Sequence, residues 1–288
     1  MFRSYMSIYR RRLKTALSLI KRDIKQGGDE WWYTTGTFVK FYSDVDQSSY
    51  RKRKVRDDVL RRKCSIMHRH LRRIMDDLEM LLTMLDQTNW QTKMVKEGHL
   101  DTYHNMLYSG ILADAFLTRY RSTYDTIAKA FKEIMRDSGH APRLSFSVFR
   151  ELCNKEEEDC MKKFGKDLAR LIQSCDWFDR ITLVRNGVVH CNFKTSGFMA
   201  DRILFQITKG YENQINFPKV MINKNLVDFE LYAAVHIAYT LWLLEEFARM
   251  GYGILKPRKF RNSKKTEKGY DGLNVFKDSI ERVLADQI

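Results

Sequence analysis

The sequence lacks any apolar run long enough to cross a lipid bilayer, for which about 18 uncharged residues are needed. Its most apolar stretch, Leu231–Leu244, is shorter than that and stops at the acidic pair Glu245-Glu246. We therefore expect this stretch to be a core helix, and we expect no membrane partner.

The sequence also lacks closely spaced cysteine pairs. It has five cysteines, an odd number, and no secretory signal is recognisable ahead of them. Because disulfides are rare in reducing compartments, the simplest interpretation is a set of reduced thiols in a cytoplasmic protein. The cysteines are Cys64, Cys153, Cys160, Cys175 and Cys191.

Several motifs that would indicate a metal or a cofactor are missing as well. There is no HExxH or CxxC pattern, no glycine-rich phosphate loop and no Gly-x-Ser-x-Gly elbow. His68 and His70 are two residues apart, but no cysteine or carboxylate pattern accompanies them at ligand spacing. We therefore expect neither a metal site nor a cofactor.

What the chain has in excess is positive charge. Lysine and arginine total 51 against 36 aspartates and glutamates, a formal net charge of +15. This excess favours a polyanionic partner, either nucleic acid or an anionic membrane surface. The alternative is a basic soluble protein with no such partner. Hydrophobic residues make up 44% of the chain, enough for a substantial core and too many for wholesale disorder.

Residues 1–100 are predicted to be a basic helical region. Residues 2–25 have apolar side chains at helical spacing, and residues 33–42 have the composition of a strand. A long polar helix is expected from Ser48 to Gln87, with a densely basic first half. That half is either an electrostatic track for a phosphate backbone or a solvated helix face. Its candidate residues for binding RNA are Arg51, Lys52, Arg53, Lys54, Arg61, Arg62 and Lys63.

Residues 105–252 are predicted to form a helical domain. Helices are expected over Tyr108–Met135 and over Phe146–Phe164, the second interrupted by the acidic run Glu156–Asp159. One further helix is expected from about Lys166 to Cys191.

After Gly197 the spacing of apolar residues changes from that of a helix to that of a strand, which predicts a small β-hairpin. Its two strands would be Ile203–Ile207 and Gln214–Phe217. A long apolar helix is expected from Val227 to Met250, and Gly251 and Gly253 are expected to end it. The rest of the chain, residues 253–288, would be a basic linker followed by a short C-terminal helix.

The segment Arg185-Asn186-Gly187-Val188-Val189-His190 is the most informative part of the chain. At about 100° per residue, Arg185 falls within the apolar arc of its predicted helix. A guanidinium keeps its charge, and burial without partners costs more than a typical folding margin allows. An anion or a partner surface must therefore meet Arg185. His190, about 7.5 Å further along the helix axis, is within reach of the same ligand. The apolar residues of the arc are Trp177, Phe178, Ile181, Val184, Val188 and Val189.

A purely structural interpretation of these residues is open as well. His190 would then lie at the C-terminal end of the helix, where the helix dipole favours a cation. Arg185 would extend its charge toward acids on the surface while its aliphatic stem stays buried.

Two further arginines are weaker candidates for RNA contact. Arg119 lies in the apolar arc of the helix Tyr108–Met135. Arg121, on the same helix, contacts RNA or, more simply, forms an ion pair with Asp125 four residues later.

The spacing Arg185-x4-His190, with Asn186 directly after the arginine, resembles the R-x(4–6)-H motif of HEPN domains, often written RNxxxH. The helices before the motif and the apolar helix after it are similar to the antiparallel helical bundle of that family. Some larger HEPN proteins also share an intervening hairpin. The resemblance covers roughly residues 105–252, and residues 1–100 have no counterpart in it. It implies a mainly α fold, a HEPN-like helical bundle with a β-hairpin insertion and an N-terminal helical extension.

The resemblance also implies an activity, that of a metal-independent endoribonuclease and possible toxin or antiviral effector. In such enzymes two motif helices meet across a two-fold axis, and with one motif per chain this implies a homodimer. His190 would transfer protons, Arg185 would hold the phosphate, and Asn186 would orient the imidazole or bind the RNA backbone. An antitoxin or other regulatory protein is a possible partner.

Two alternatives to an enzyme stay open. One is a non-catalytic HEPN-like module that binds RNA or a protein. The other is an interaction protein in which the apolar arc beside Arg185 is a dimer seam.

Overall fold

The computed structural model describes residues 32–50, 58–135, 145–190, 198–199, 202–206, 221–223 and 226–255. Over these residues the chain is mainly helical, and the helices pack around one hydrophobic cluster. Three of the expected elements lie outside the described residues. They are the helix over residues 2–25, the strand Gln214–Phe217, and the part of the C-terminal linker and helix that follows residue 255. None of the described helices is both long and apolar enough to cross a membrane.

The helices, numbered over the described residues, form a bundle. Helix α1 packs against α2 and α8, α2 packs along α3 as a helical hairpin, and α3 also contacts α7 and α8. The helices are α1 (Trp32–Tyr50), α2 (Asp58–Lys96), α3 (Thr102–Met135), α4 (Phe146–Lys155), α5 (Glu157–Phe164), α6 (Lys166–Gln173), α7 (Asp176–His190) and α8 (Phe229–Leu255).

Helical periodicity explains where the core lies. On α2 the buried residues recur three or four positions apart, which gives this otherwise polar helix one apolar stripe. These residues are Cys64, Met67, Leu71, Ile74, Leu78 and Leu81. The boundary expected between residues 100 and 105 falls at the turn between α2 and α3, and buried residues on both sides of it belong to the same cluster.

A small antiparallel sheet precedes α8. Its strands are β1 (Phe198–Met199), β2 (Arg202–Gln206), β3 (Met221–Asn223) and β4 (Leu226–Asp228), in the order β1-β2-β4-β3. Strand β2 overlaps the first predicted hairpin strand and pairs with β1 and β4 in the described sheet, and the hairpin itself stays a prediction. Val227 was expected to start a helix. It lies in β4 instead, and α8 begins two residues later.

The strand predicted over residues 33–42 is wrong, because these residues belong to α1. Threonine and aromatic content favours a strand, but Phe38, Phe41 and Val45 are buried at helical spacing. The Phe41 ring packs edge-on against Phe247 and Tyr252, with centroids 5.9 and 4.8 Å apart. Tertiary contacts with α8 therefore outweigh the local composition.

The single long helix predicted from Ser48 to Gln87 is also wrong at its start. Ser48 is near the end of α1, and α2 runs from Asp58 to Lys96. The interruption predicted in the helix Phe146–Phe164 is confirmed, since α4 and α5 are separated at Glu156.

The two glycines expected to end the last helix lie inside it. Helix α8 continues through Gly251 and Gly253 to Leu255. A Cβ atom at Gly251 would lie 2.5 Å from Cζ of Phe41, whereas nothing lies within 4 Å of one at Gly253. Gly251 is therefore a point of close approach between α8 and α1.

This difference between two glycines of one helix gives a stability test. We expect Gly251→Ala to lower the free energy of unfolding by about 1 to 2 kcal/mol, because the methyl group overlaps the Phe41 ring. Gly253→Ala should raise it by about 0.5 to 1 kcal/mol through helix propensity alone. Urea denaturation of both variants measures these changes, and a gain in stability for Gly251→Ala would contradict the packing described here.

A buried polar network joins α3, α7 and α8 at the centre of the bundle. The Tyr124 hydroxyl accepts a hydrogen bond from Trp177 Nε1 at 2.8 Å and lies 2.9 Å from the Tyr120 hydroxyl. Thr240 Oγ1 lies 3.2 Å from the Tyr124 hydroxyl and donates to the backbone oxygen of His236 at 2.9 Å. Buried polar groups that satisfy one another in this way favour one relative position of the helices.

His236 is buried among aromatic rings in the same region. Its ring lies edge-on to those of Tyr120 and Tyr232, with centroid distances of 5.3 and 4.4 Å. Burial lowers the pKa of His236 from 6.5 to about 3, and the positive charge of Arg180 acts in the same direction. The imidazole is therefore neutral in the folded protein at ordinary pH.

The lowered pKa predicts a specific loss of stability in acid. The unfolded chain protonates His236 below about pH 6.5 and the folded protein does not, so stability falls as the pH drops from there toward 3. His236→Phe keeps a ring and removes the titration. Between about pH 7 and pH 5, we expect the free energy of unfolding to fall by about 2 kcal/mol more in the wild type than in the variant. Urea unfolding at both pH values tests this, and equal losses in both proteins would count against a neutral His236.

Candidate functional site

The apolar arc of α7 is buried inside the protein's own core. Trp177 stacks on Tyr239 of α8 with centroids 4.3 Å apart, and Phe178 stacks on Tyr124 of α3 at 4.9 Å. Ile181 and Val184 of the same arc are also buried. These side chains are therefore not free to form a seam with a second protomer, which corrects that expectation. The side chains of Val188 and Val189 are outside the described part of the chain.

Arg185 and Asn186 are brought together on the last turns of α7. Arg185 Nη1 donates a hydrogen bond of 3.0 Å to Asn186 Oδ1. Arg185 Nε is buried and has no hydrogen-bond partner among the described residues. One turn earlier, the Thr182 hydroxyl is also buried and has no hydrogen-bond partner among the described residues. An unsatisfied buried donor costs about 1 to 3 kcal/mol, so this end of α7 is suited to bind a group that supplies acceptors.

His190 is the last residue of α7, and its side chain is outside the described part of the chain. The contact predicted between Arg185 and His190 therefore stays a prediction. By helical periodicity, position 190 shares with Asp179, Leu183 and Asn186 an arc of about 60°, on the side opposite the buried residues. Leu183 is 40% exposed on this side, a large apolar residue with little cover.

The single helix predicted from Lys166 to Cys191 is in fact two, and Arg150 of α4 explains the break. Arg150 is 5% exposed. Its Nη1 donates to the backbone oxygens of Ile172, at 2.7 Å, and of Gln173. Its Nε donates to Asp179 Oδ2 at 2.7 Å. The guanidinium thus satisfies carbonyls at the end of α6 that a continuous helix would use, and its ion pair holds the first turns of α7.

Sequence reasoning missed Arg150, although a signal was present. Phe146, Phe149 and Cys153 are buried at helical spacing, and Arg150 lies just beyond the arc that they define, about 40° from Phe146. This is close to the pattern that singled out Arg185 and Arg119.

The ion pair expected between Arg121 and Asp125 is not formed among the described residues. Asp125 Oδ1 instead accepts a hydrogen bond of 3.1 Å from the backbone N–H of Phe146. Ser145 accepts a second one from Val148 as the N-cap of α4. Asp125 therefore satisfies a free donor at the start of that helix, and Arg121 is half-buried.

Arg119 connects α3 to α2. Its Nη1 lies 3.0 Å from Oδ1 of Asp77, whose side chain is almost fully buried. Burial raises the pKa of Asp77, and the hydrogen bond from Arg119 partly opposes that rise. This contact supports a structural role for Arg119 in the helical hairpin, and RNA contact by Arg119 stays a prediction.

The basic residues predicted on α2 are only partly described. Arg51, Lys52, Arg53 and Lys54 lie outside the described residues, and of Arg61 only the backbone is described. Arg62 is exposed and Lys63 is half-buried. Three exposed arginines, Arg62, Arg69 and Arg73, recur within an arc of about 40° and span about 16 Å of helix. Helix α3 packs against both this helix and α7.

His68 takes part in a contact between α1 and α2. Its ring stacks on Tyr42 with centroids 5.4 Å apart, and its Nε2 lies 3.0 Å from Asp46 Oδ1. Over the described residues, no three histidine, cysteine or acidic side chains come together in a way that would hold a metal ion.

Comparison with known proteins adds no assignment. No protein-family model matches the sequence, no curated protein matches it, and no solved structure matches the fold. What this site can do therefore follows from its own residues.

The role of Arg150 at the α6–α7 junction predicts a large loss of stability on substitution. Arg150→Met should lower the free energy of unfolding by about 3 kcal/mol, because the Gln173 carbonyl loses its donor and Asp179 loses its buried partner. The Ile172 carbonyl loses one of two donors and keeps the N–H of Cys175. Asp179→Asn should cost about 1 kcal/mol, since Asp179 is half exposed.

Lys155→Met is the matched control on the same helix. Lys155 is exposed and paired with Glu151 at 2.6 Å, so its loss should leave the free energy of unfolding almost unchanged. Urea denaturation ranks the three variants. An Arg150→Met variant as stable as Lys155→Met would contradict the role assigned to Arg150.

Proposed function

We propose that the chain is a HEPN-type endoribonuclease that cleaves RNA without a metal ion, with Arg185, Asn186 and His190 as its catalytic residues. The observation that carries this proposal is the state of Arg185. A permanent cation is half-buried near the end of a well-packed helix, and its Nε lacks a hydrogen-bond partner among the described residues. Phosphate oxygens are the acceptors that such a fork of donors binds best.

The proposed reaction needs only proton transfers and charge stabilisation. The ribose 2′-oxygen loses its proton and attacks phosphorus, the bond from phosphorus to the 5′-oxygen breaks, and that oxygen takes up a proton. The products are a 2′,3′-cyclic phosphate and a 5′-hydroxyl. Histidine suits either transfer because its unperturbed pKa lies near 6.5. Arg185 would stabilise the charge that develops on the phosphoryl oxygens.

The contact between Arg185 and Asn186 refines the role proposed for Asn186. Its side-chain oxygen already accepts from Arg185, so the amide holds the guanidinium and keeps its NH2 group to donate. That group is one helical turn before position 190 and would donate to RNA or to the imidazole.

The proposed homodimer must use the side of α7 that the core leaves uncovered. The apolar arc is buried within the protomer, so a second copy would approach the arc that contains Asp179, Leu183, Asn186 and position 190. One self-complementary patch is enough for a two-fold dimer, and exposed Leu183 would supply apolar contact in it. Two copies of His190 would then line one cleft, and each Arg185 guanidinium, held by Asn186, would reach it from the edge of the buried arc.

The remaining parts of the proposal concern substrate and control. The exposed arginines Arg62, Arg69 and Arg73 of α2 would hold the RNA backbone by charge alone, which makes binding sensitive to salt. A nuclease of this kind would act in the cytoplasm as a toxin or an antiviral effector. It would need an antitoxin or another regulatory protein to restrain it.

A second candidate function is a non-catalytic HEPN-like module that binds RNA or a protein. The observation that favours it is the hydrogen bond from Arg185 to Asn186, because this bond forms without a substrate. Such a module would bind RNA and leave it intact.

A cleavage assay in excess chelator tests the proposal and its alternative together. Purified protein is incubated with mixed RNA, beside His190→Ala and Arg185→Ala, and the 3′ ends are analysed for cyclic phosphate. We expect cleavage by the wild type, and a loss of about a hundredfold or more in each variant.

Arg180→Ala is the matched control on the same helix. Arg180 is paired with Asp176 at 2.7 Å and has no role in the proposed reaction, so cleavage should persist. Cleavage that needs added metal, or that survives His190→Ala, would refute the enzyme. RNA bound in a salt-sensitive way and recovered intact would establish the binding module instead.

A further inference from the structure

Three large apolar side chains follow one another along the outer side of α3. Tyr103, Leu107 and Ile111 are 65%, 49% and 66% exposed. Their spacing of four residues places them within an arc of about 80° on the helix surface. Phe116 and Tyr120 of the same helix, which are buried in the core, lie on the opposite side. We call the three exposed residues the α3 stripe.

The α3 stripe is large for a surface feature of a single chain. Together with Tyr108, which is about half exposed, its side chains present on the order of 500 Å² of mostly apolar surface. The largest apolar patch on a typical monomer is about 300 to 600 Å², and patches of that size are often interaction sites. A stable interface buries about 800 Å² on each partner, so the α3 stripe and Tyr108 would supply more than half of one side.

The N-terminal end of the α3 stripe is held in place by hydrogen bonds. Asp101 Oδ1 accepts a bond of 2.8 Å from the backbone N–H of His104, and Asp101 Oδ2 lies 2.7 Å from His104 Nδ1. The ring of Tyr103 lies edge-on to that of His104, with centroids 5.6 Å apart. A surface that is ordered before binding loses less conformational entropy when a partner covers it.

The charge of this part of α3 decides which kind of partner fits it. From Thr102 to Thr118 the chain has no lysine or arginine, although its net charge is +15. The one acidic residue in that segment is Asp114, which is exposed within the arc of the α3 stripe. A surface without cations does not attract nucleic acid or an anionic membrane. It does allow two copies of a basic protein to meet without repulsion between cations at the contact.

We propose that the α3 stripe is covered by the same stripe of a second copy of this chain, with the two α3 helices antiparallel. If the two-fold axis passes near position 109, Leu107 of one copy packs on Ile111 of the other, and this contact occurs twice. Tyr103 of one copy is then level with Asp114 of the other. The tyrosine hydroxyl donates a hydrogen bond to that carboxylate, so the surface is complementary to itself.

An antiparallel arrangement is favoured over a parallel one. Two parallel helices would place the two Asp114 carboxylates next to each other, where like charges repel. They would also bring together two helix N-termini, each of which carries a partial positive charge. The antiparallel arrangement avoids both contacts.

This contact is separate from the dimer proposed through α7, and it does not depend on RNA cleavage. The α7 contact would use Leu183, which is on a different helix. Two different two-fold contacts on each chain can close into a tetramer. A variant that breaks one contact should therefore leave the other in place.

Sedimentation equilibrium of the full-length protein tests the proposal. We expect the wild type to be at least dimeric at about 100 µM, since interfaces of standard size give micromolar or tighter affinity. Ile111→Asp should weaken association through α3 by about a hundredfold or more, because it buries an unpaired carboxylate on each side of the contact. Val148→Asp, the matched control, changes an exposed apolar residue of α4 and should associate as the wild type does. Circular dichroism checks that each variant is folded.

Leu183→Asp separates this contact from the one proposed through α7, and it should remain dimeric. The proposal is overturned if the wild type is a monomer at that concentration or if Ile111→Asp associates as tightly as the wild type. It is also overturned if Leu183→Asp is a monomer, because the α7 contact would then account for the association alone.

Cysteine cross-linking tests the antiparallel arrangement. Leu107→Cys and Ile111→Cys are mixed and oxidised gently, with the wild type as a blank for the native cysteines. We expect a disulfide between the two variants to form faster than one within either variant alone, because position 107 of one copy faces position 111 of the other. Faster cross-linking within each single variant would show a parallel arrangement and overturn the antiparallel one.

Discussion

The buried guanidinium of Arg150 is the interaction on which the candidate site depends. It ends α6 by satisfying two carbonyls and starts α7 by pairing with Asp179. Without it, the chain from residue 166 onward would be free to continue as one helix. The break redirects α7, so that Trp177 and Phe178 pack against α3 and α8. The place of Arg185 near the end of α7 follows from that direction.

Periodicity in the sequence was a good guide to the helices and a poor one to their ends. The stripe of α2, the helix α3 and the interruption at Glu156 follow from local spacing. The break at Ser174 and the passage of α8 through Gly251 do not, since each depends on a residue distant in sequence, Arg150 or Phe41. Residues 33–42 show the same limit, because contacts with α8 decide between strand and helix there.

For the candidate site, the sequence correctly predicted that Arg185 lies on a helix and misjudged what surrounds that helix. An arginine in an apolar arc did mark half-buried guanidinium groups at Arg185 and Arg119, and a similar pattern at Arg150 marks a buried one. The pattern alone does not distinguish the three, because their partners differ. Arg185 donates to the neighbouring amide of Asn186, Arg119 pairs with the carboxylate of Asp77 on another helix, and Arg150 binds two carbonyls and the carboxylate of Asp179. The buried Thr182 hydroxyl gave no sequence signal at all, since a lone threonine on a helix is ordinary.

The close approach of Phe41 to Gly251 has a consequence for how this protein can be divided. Helix α1 covers a face of α8 where a glycine leaves room for an aromatic ring. A fragment that begins at residue 105 would lack the Phe41 ring, which would expose Phe247 and Tyr252. The exposed apolar surface would favour aggregation of the fragment. The smallest fragment that keeps the contact between α1 and α8 therefore includes α1.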